Sequence, residues 1–382
     1  MSKPLRLKKI LALIAAGFFL ATTALAQDPT YLAEYKLYAA AVQNGDDAAA
    51  ETHARNAWQA AEQELGDHQT TGVLAFNYGR LVIFRDAKEA LPALQRAQTL
   101  QAAGVSQLPA THLNMLVAFA EFETNGQQKK ETLNLRLALK AFDATSAPNA
   151  YSAIIWGRLA RADLAAKKYN DAITSAENSE NAFNAAAPYA YQRKAEAILI
   201  QGVARVTPRG RTIESIQWAH HAFVRARQLF PPQSNLDDFD PVLAQVLAWD
   251  RAAGAALRSA GKKNYTKHGS NGYHPLNDDD WNLFAANKRG NEFCNIEWVS
   301  RARPNYPYRA SLRGYIGAVL IGFNLGDDTS AHDARILAEV PTNEFGAVSL
   351  EAVKEWRLEQ PALAIPVCRN NFLYSYTFVL SD

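Results

Sequence analysis

The sequence predicts a multidomain fold with α and α+β parts. An N-terminal all-α array of helical hairpins is followed by a small α+β domain, an antiparallel sheet with one helix. Three observations carry this reading. From Asp28 to Ala260 apolar residues recur at intervals of three and four, and loop signals return roughly every fifteen residues. From Ser259 to Phe293 the run is broken by Gly, Asn, Asp and Pro. After Gly317 the apolar period changes to two, the period of a strand. The expected organisation is a signal peptide at 1–26, a helical repeat domain at 27–260, a linker at 261–292 and a C-terminal domain at 293–382.

The first nine residues, MSKPLRLKK, carry four basic groups and no acidic one, and the apolar run Ile10–Ala26 follows. Ala24-Leu25-Ala26 before Gln27 fits the small-x-small rule for signal-peptide cleavage, so export to the periplasm is expected. The rival is a retained inner-membrane anchor. Seventeen residues would span about 26 Å, the lower limit for crossing a bilayer. Removing the segment changes the charge. The 382-residue chain has 40 Lys/Arg and 38 Asp/Glu; without the four N-terminal bases the balance moves from +2 to −2. No basic stripe for nucleic acid is left. The two cysteines, Cys294 and Cys368, most simply pair in an oxidising compartment, adding about 4 kcal/mol in the chain-entropy model. The alternative is two independent buried thiols.

Within the array, small residues recur at matched spacing. Ala50, Ala54 and Ala57 align with Ala90, Leu94 and Ala97, with Ala172, Ala176 and Ser179, and with Ser215, Ala219 and Ala222. Such positions let antiparallel helices approach closely. The pattern, best preserved in KKYNDAI (167–173), resembles the tetratricopeptide repeat, a helix-turn-helix of about 34 residues. Four or five pairs closed by a helix near 241–259 are expected, with a lengthened hairpin at TPRGRT (207–212). Arrays of this kind offer a concave face to a partner. Trp58, Trp156 and Trp218 serve either as anchors on that face or as core.

Catalytic and metal signatures fail. The NDDD run, Asn277–Asp280, lacks the alternating ligands of a calcium loop and reads as a helix start. His220 and His221 are adjacent and so point apart on a helix. HExxH, GxSxG and a phosphate-cradling glycine loop are all missing. The expectation is a binding protein, with no enzyme activity, metal or cofactor.

In the C-terminal domain Val319, Ile321, Phe323 and Leu325 form one apolar strand face, with Ala318, Leu320, Gly322 and Asn324 opposite. Ala334–Val340 reads as the antiparallel partner after a GDDTSAHD turn. Phe345, Val348, Leu350, Val353 and Trp356 then follow at helical spacing, with Asn343 in cap position. A last alternating strand covers Asn371–Leu380. Pro304 and Pro307 disfavour helix in the residues just ahead of them, which makes the Tyr-Pro stretch an extended entry to the first strand.

These residues stand in the order of a known pattern: Pro304, Tyr306-Pro307, Ala310, Gly314 with Gly317, Pro341, Phe345, Ala352, Trp356-Arg357 and Pro361. About the last 85 residues thus resemble the TonB C-terminal domain. The longer turn NLGDDTSAHDARI and the two cysteines depart from the family pattern. The resemblance implies capture of an extended peptide of an outer-membrane transporter by strand addition. The partner-binding residues it implies are Asn305, Tyr306, Pro307, Phe372, Tyr374, Tyr376 and Phe378, with core or dimer packing as the alternative for Tyr374 and Tyr376. Three readings follow: a periplasmic adaptor whose repeats hold a second protein, an inner-membrane energy transducer, or an envelope enzyme or its accessory. The adaptor is preferred. The apolar N-terminal run lacks a polar contact for a motor, and a compact array stands where a Pro-rich spacer would be expected.

Overall fold

The computed structural model describes residues 28–208, 211–231, 236–260, 298–300, 302–326, 328, 330–358 and 372–379. The expected signal peptide, the linker with its NDDD run, and Cys294 and Cys368 lie outside them. The chain forms two compact units, one ending at Ala147 and one beginning at Pro148.

The first unit holds α1 (Thr30–Asn44), α2 (Asp47–Leu65), α3 (Gln69–Val82), α4 (Ala87–Ala102), α5 (Ala110–Thr124) and α6 (Lys129–Thr145). Side-chain caps set several starts: Asp46 accepts from the Ala49 amide and Asp86 from the Glu89 amide. The recurring small residues are buried as their spacing predicts, with Ala57, Ala90, Leu94 and Ala97 fully so. A Cβ added at Gly79 on α3 would sit 2.6 Å from Leu94 Cγ, so only glycine lets α3 and α4 meet there. Ions then join successive pairs: Arg55 Nε donates to Tyr78 Oη at 2.9 Å, both groups hydrogen-bond Glu89, and Arg85 reaches Glu51 and Glu89. Burial and the Glu89 hydrogen bond push the Tyr78 hydroxyl up to about 12.

His112 on α5 is wedged against the rings of Phe76 and Phe142. Burial, with Arg80 nearby, brings its imidazole down to about 4. A depressed histidine stabilises the fold only while neutral, fully above its ordinary value of about 6.5, and that part is lost as pH falls toward 4. Urea unfolding of the first unit should therefore weaken by at most about 3 kcal/mol between pH 7 and 4 through this group, and His112→Gln should flatten the dependence. An unchanged slope in the variant would remove His112 as the cause.

The second unit opens with α7 (Ala150–Ala165), α8 (Tyr169–Ala186), α9 (Tyr191–Val206), α10 (Ile213–Arg227) and α11 (Pro241–Ser259). Asn149 and Ser152 close a capping box on α7, and Asp240 caps α11 ahead of Pro241. Ala172, Ala176, Ser179 and Ala219 are fully buried, and Gly157 and Gly202 face Ser179 and Phe223 across their pairs. Along the chain the first helices of the pairs begin at Thr30, Gln69, Ala110, Ala150 and Tyr191. That period is nearer about 40 residues than the 34 of the repeat it resembles, because most of the helices run 14 to 19 residues.

The sheet domain follows in the same unit: β1 (Trp298–Ser300), α12 (Tyr308–Leu312), β2 (Gly317–Leu325), β3 (Ala331–Val340), α13 (Gly346–Lys354), β4 (Arg357–Leu358) and β5 (Phe372–Phe378). The order β3-β2-β5 is antiparallel throughout, and β1 pairs separately with β4. On one face Val319, Ile321, Phe323, Tyr376 and Phe378 pack under α13 with Phe345, Val353 and Trp356. The other face is covered as well, which the alternation does not reveal. Ala318, Leu320, Ala338 and Val340 join one core with Ala244, Leu247, Ala248 and Ala252 of α11. The smallness of Ala318 and Gly322 on that face admits the covering layer; a Cβ at Gly322 would crowd Leu236 at 2.7 Å.

Three local expectations are corrected. β3 begins at Ala331, ahead of Ala334, because register shifts opposite Leu320/Ile321 and Gly322/Asn324 absorb extra residues. The Tyr-Pro stretch is extended only to Pro307, and α12 intervenes before β2. Asn343 does not cap α13. It has φ +63°, and the Glu339 carboxylate takes the Glu344 and Phe345 amides.

Candidate functional site

Both faces of the sheet are covered, and among the described residues its edges are β3 and β5. They differ. β3 carries the exposed residues His332, Asp333 and Arg335, a left-handed Asp333 at φ +52°, and two irregularities in its pairing with β2. These features discourage another strand from pairing. β5 is uncharged, FLYSYTF, and pairs with β2 in unbroken register from Gly317↔Phe378 to Phe323↔Phe372. Among the described residues nothing pairs with its outer side.

The side chains of β5 brace the strand from within. Tyr374 and Tyr376 stand edge-on to the Trp356 ring at 4.6 and 5.7 Å, and Phe372 stacks on Phe323 at 5.4 Å. Tyr376 Oη and Trp356 Nε1 both donate to the Ala302 carbonyl, at 2.8 and 3.1 Å, tying the extended segment ahead of α12 beneath the sheet. Of the other residues expected at a binding edge, Tyr306 is half-buried. Its ring stands edge-on to Phe345 and Phe378, and its hydroxyl donates to the Tyr315 carbonyl. Burial raises that hydroxyl above its ordinary value. Asn305 is exposed, and Pro307 starts α12. The structure thus gathers Tyr306 with Phe378, and Tyr374 with Tyr376, in one aromatic core. The offered chemistry of β5 is its backbone.

The motif glycines have physical roles. Gly314 adopts φ +61°, and a Cβ at Gly317 would strike the Phe345 ring and stand 2.5 Å from the Val340 carbonyl oxygen. Residues 302–367 match the family described as Gram-negative bacterial TonB protein C-terminal. The sheet domain is a TonB C-terminal domain. Its match takes in α12, β2, β3, α13 and β4; β5 follows just beyond. TonB domains of this type act in the cell envelope through protein–protein contacts and as a family are not enzymes. Among solved structures, the chain is similar to a Signal Transduction ATPase with Numerous Domains (STAND) protein with a tetratricopeptide repeat sensor from Pyrococcus horikoshii. That likeness has 15% identity and a TM-score of 0.42, and spans 59% of this chain and 33% of the other. A comparison with curated protein sequences finds no match.

Trp156 is buried, Trp58 stacks on Tyr78 at 5.6 Å, and Trp218 is 59% exposed. His220 is buried 3.2 Å from Asp250, whereas His221 is exposed. Asp328, Ser330 and His332 meet at the β2–β3 turn, where Asp328 accepts from the Ser330 amide at 3.1 Å and from its hydroxyl at 2.6 Å. His332 Nε2 lies 2.9 Å from the same hydroxyl and 3.0 Å from the Asp328 carboxylate, so the three side chains close one local network across the turn. Among the described residues no group of His, Cys, Asp and Glu is arranged to hold a metal, and no helix is long and apolar enough to cross a membrane.

Proposed function

We propose that this chain is a periplasmic protein-binding adaptor of the TonB family. Its β5 edge takes up an extended segment of an outer-membrane transporter by strand addition, and its helical repeats hold a second partner. The observation that carries this reading is the contrast between the edges: an uncharged, regular β5 beside a bulged, charged β3. An incoming strand gains main-chain hydrogen bonds along β5 without disturbing the aromatics beneath it. Of the expected binding residues, Phe372, Tyr374, Tyr376 and Phe378 belong to that strand, and Tyr306 packs on Phe378 beneath it.

A photoreactive residue at the exposed Thr377, in the full chain in its own cell envelope, tests this. The expected product is a crosslink to the periplasmic segment of an outer-membrane transporter, with none from Asp333 on β3. Equal crosslinking from both edges, or none from Thr377, would overturn the assignment. Fractionation of the same cells separates the roles. A chain beginning at Gln27 in the soluble fraction supports the adaptor; an intact N-terminus in the inner membrane makes the chain a transducer.

A further inference from the structure

α6 carries leucine on two opposite faces. Leu135 and Leu139, with Thr132 and Phe142, are its buried residues, and the helix packs on α5. Leu133 and Leu137 lie one turn apart on the other side, 55% and 56% exposed. Among the described residues the first unit exposes three large hydrophobics, Leu37, Leu133 and Leu137, so two of the three share one stripe. The exposed Ala141 and Ala144 continue it toward the helix end. A surface helix needs one apolar face for its own core; a second marks a further packing partner.

The charges around the stripe have one sign. Lys129 and Lys140 flank it on one side and Lys130 on the other, all exposed, while Glu131 and Asp143 point off this face. Elsewhere in the unit Arg55, Arg85 and Arg96 are each held by carboxylates. Among the described residues the three lysines have no such partner. Lys129 and Lys130 also stand in the first turn, where the helix dipole disfavours cations, and Gln128 gives that turn no side-chain cap. The lysines therefore do not serve α6 itself.

We propose that this stripe docks an acidic amphipathic helix of the partner held by the repeats. The partner's apolar residues lie against Leu133 and Leu137, and its carboxylates pair with Lys129, Lys130 and Lys140. Ala141 and Ala144 let the two backbones come close. From Leu133 to Ala144 the stripe runs about 16 Å, three turns of an incoming helix. A lipid surface fits less well, since interfacial helices sink a broad face with exposed aromatics, and the one aromatic of α6, Phe142, is buried. The inference rests on the adaptor reading only in taking the repeats to hold a second protein, and it does not involve β5.

The test uses the full chain and a fluorescent, terminally capped, stapled helix of about twelve residues, with leucines on one face and glutamates beside them. Two analogues carry glutamine or lysine in place of glutamate. The glutamate helix should bind and weaken as salt is raised, and the glutamine helix should bind about tenfold more weakly. Leu133→Ser with Leu137→Ser should raise Kd about tenfold and leave the fold intact, because both side chains are exposed. Lys129→Glu, Lys130→Glu and Lys140→Glu together should abolish binding of the glutamate helix and create binding of the lysine helix, a swap that misfolding cannot produce. No binding of the glutamate helix, equal binding of the glutamine helix, an unchanged Kd in the leucine variant, or no swap would each overturn the proposal. So would sedimentation with phosphatidylglycerol vesicles that the charge reversal removes, since the stripe would then read lipid. Absent helix binding beside an intact Thr377 crosslink removes the stripe and leaves the β5 assignment standing; the reverse result removes β5 and leaves the stripe.

Discussion

Trp356→Ala should cost the sheet domain about 3–5 kcal/mol, the range for truncating a fully buried aromatic side chain. Trp356 is fully buried just past the end of α13, edge-on to Phe323, Tyr374 and Tyr376, with its Nε1 on the Ala302 carbonyl. Truncation opens a cavity under β2 and β5 and removes one of the two donors that tie the 302–307 segment beneath the sheet. Trp356→Phe keeps most of the packing and loses the N–H, so about 1–2 kcal/mol is expected. Urea unfolding followed by hydrogen exchange of the β2 and β5 amides measures both. If alanine cost no more than phenylalanine, ring packing would not be what holds the edge strand.

The second large effect concerns the opposite face. Leu320→Asp should cost about 4 kcal/mol or more, because it removes a fully buried leucine and places a carboxylate against α11 without a partner. The aromatic core under α13 does not include Leu320, so the sheet should keep its β2–β5 protection while α11 amides exchange faster. Unchanged exchange in α11 would show that sheet and helix are stable without one another. Loss of β2–β5 protection would show that they unfold as one. Under the proposed docking at β5 the difference matters: a sheet packed on α11 passes any load to that helix, and a sheet free of α11 does not.

Much of this architecture was legible because it rests on local pattern. The signature of close helix pairs, Ala90, Leu94 and Ala97 with Gly79 ahead of them, is periodic in the chain and became a buried seam. The sheet domain was recognisable from residues whose chemistry is local or tightly constrained: Gly314 for its positive φ, Gly317 for the ring above it, Trp356 for the core. Glu339 as the cap of α13 was out of reach, since its reach to the Glu344 and Phe345 amides depends on how β3 turns into the helix. The ion pair between α7 and α9 left a faint trace. Arg158 and Arg161 lie one turn apart, but the pairing of Arg161 with Glu196 joins residues 35 positions apart, and only folding of the helix pairs shows it.

The sequence by itself therefore determined the kinds of element, the small-residue seams and the TonB-type character of the last domain, since each follows from periodicity or from steric demands on single residues. Tertiary structure alone decided that α11 seals the second face of the sheet, that among the described residues β3 pairs with β2 through two register shifts while β5 pairs in unbroken register, and that Arg161 and Arg193 share Glu196. Those outcomes depend on which apolar faces and charges meet across long sequence separations, and alternation along a strand reports how a residue points without saying what covers it.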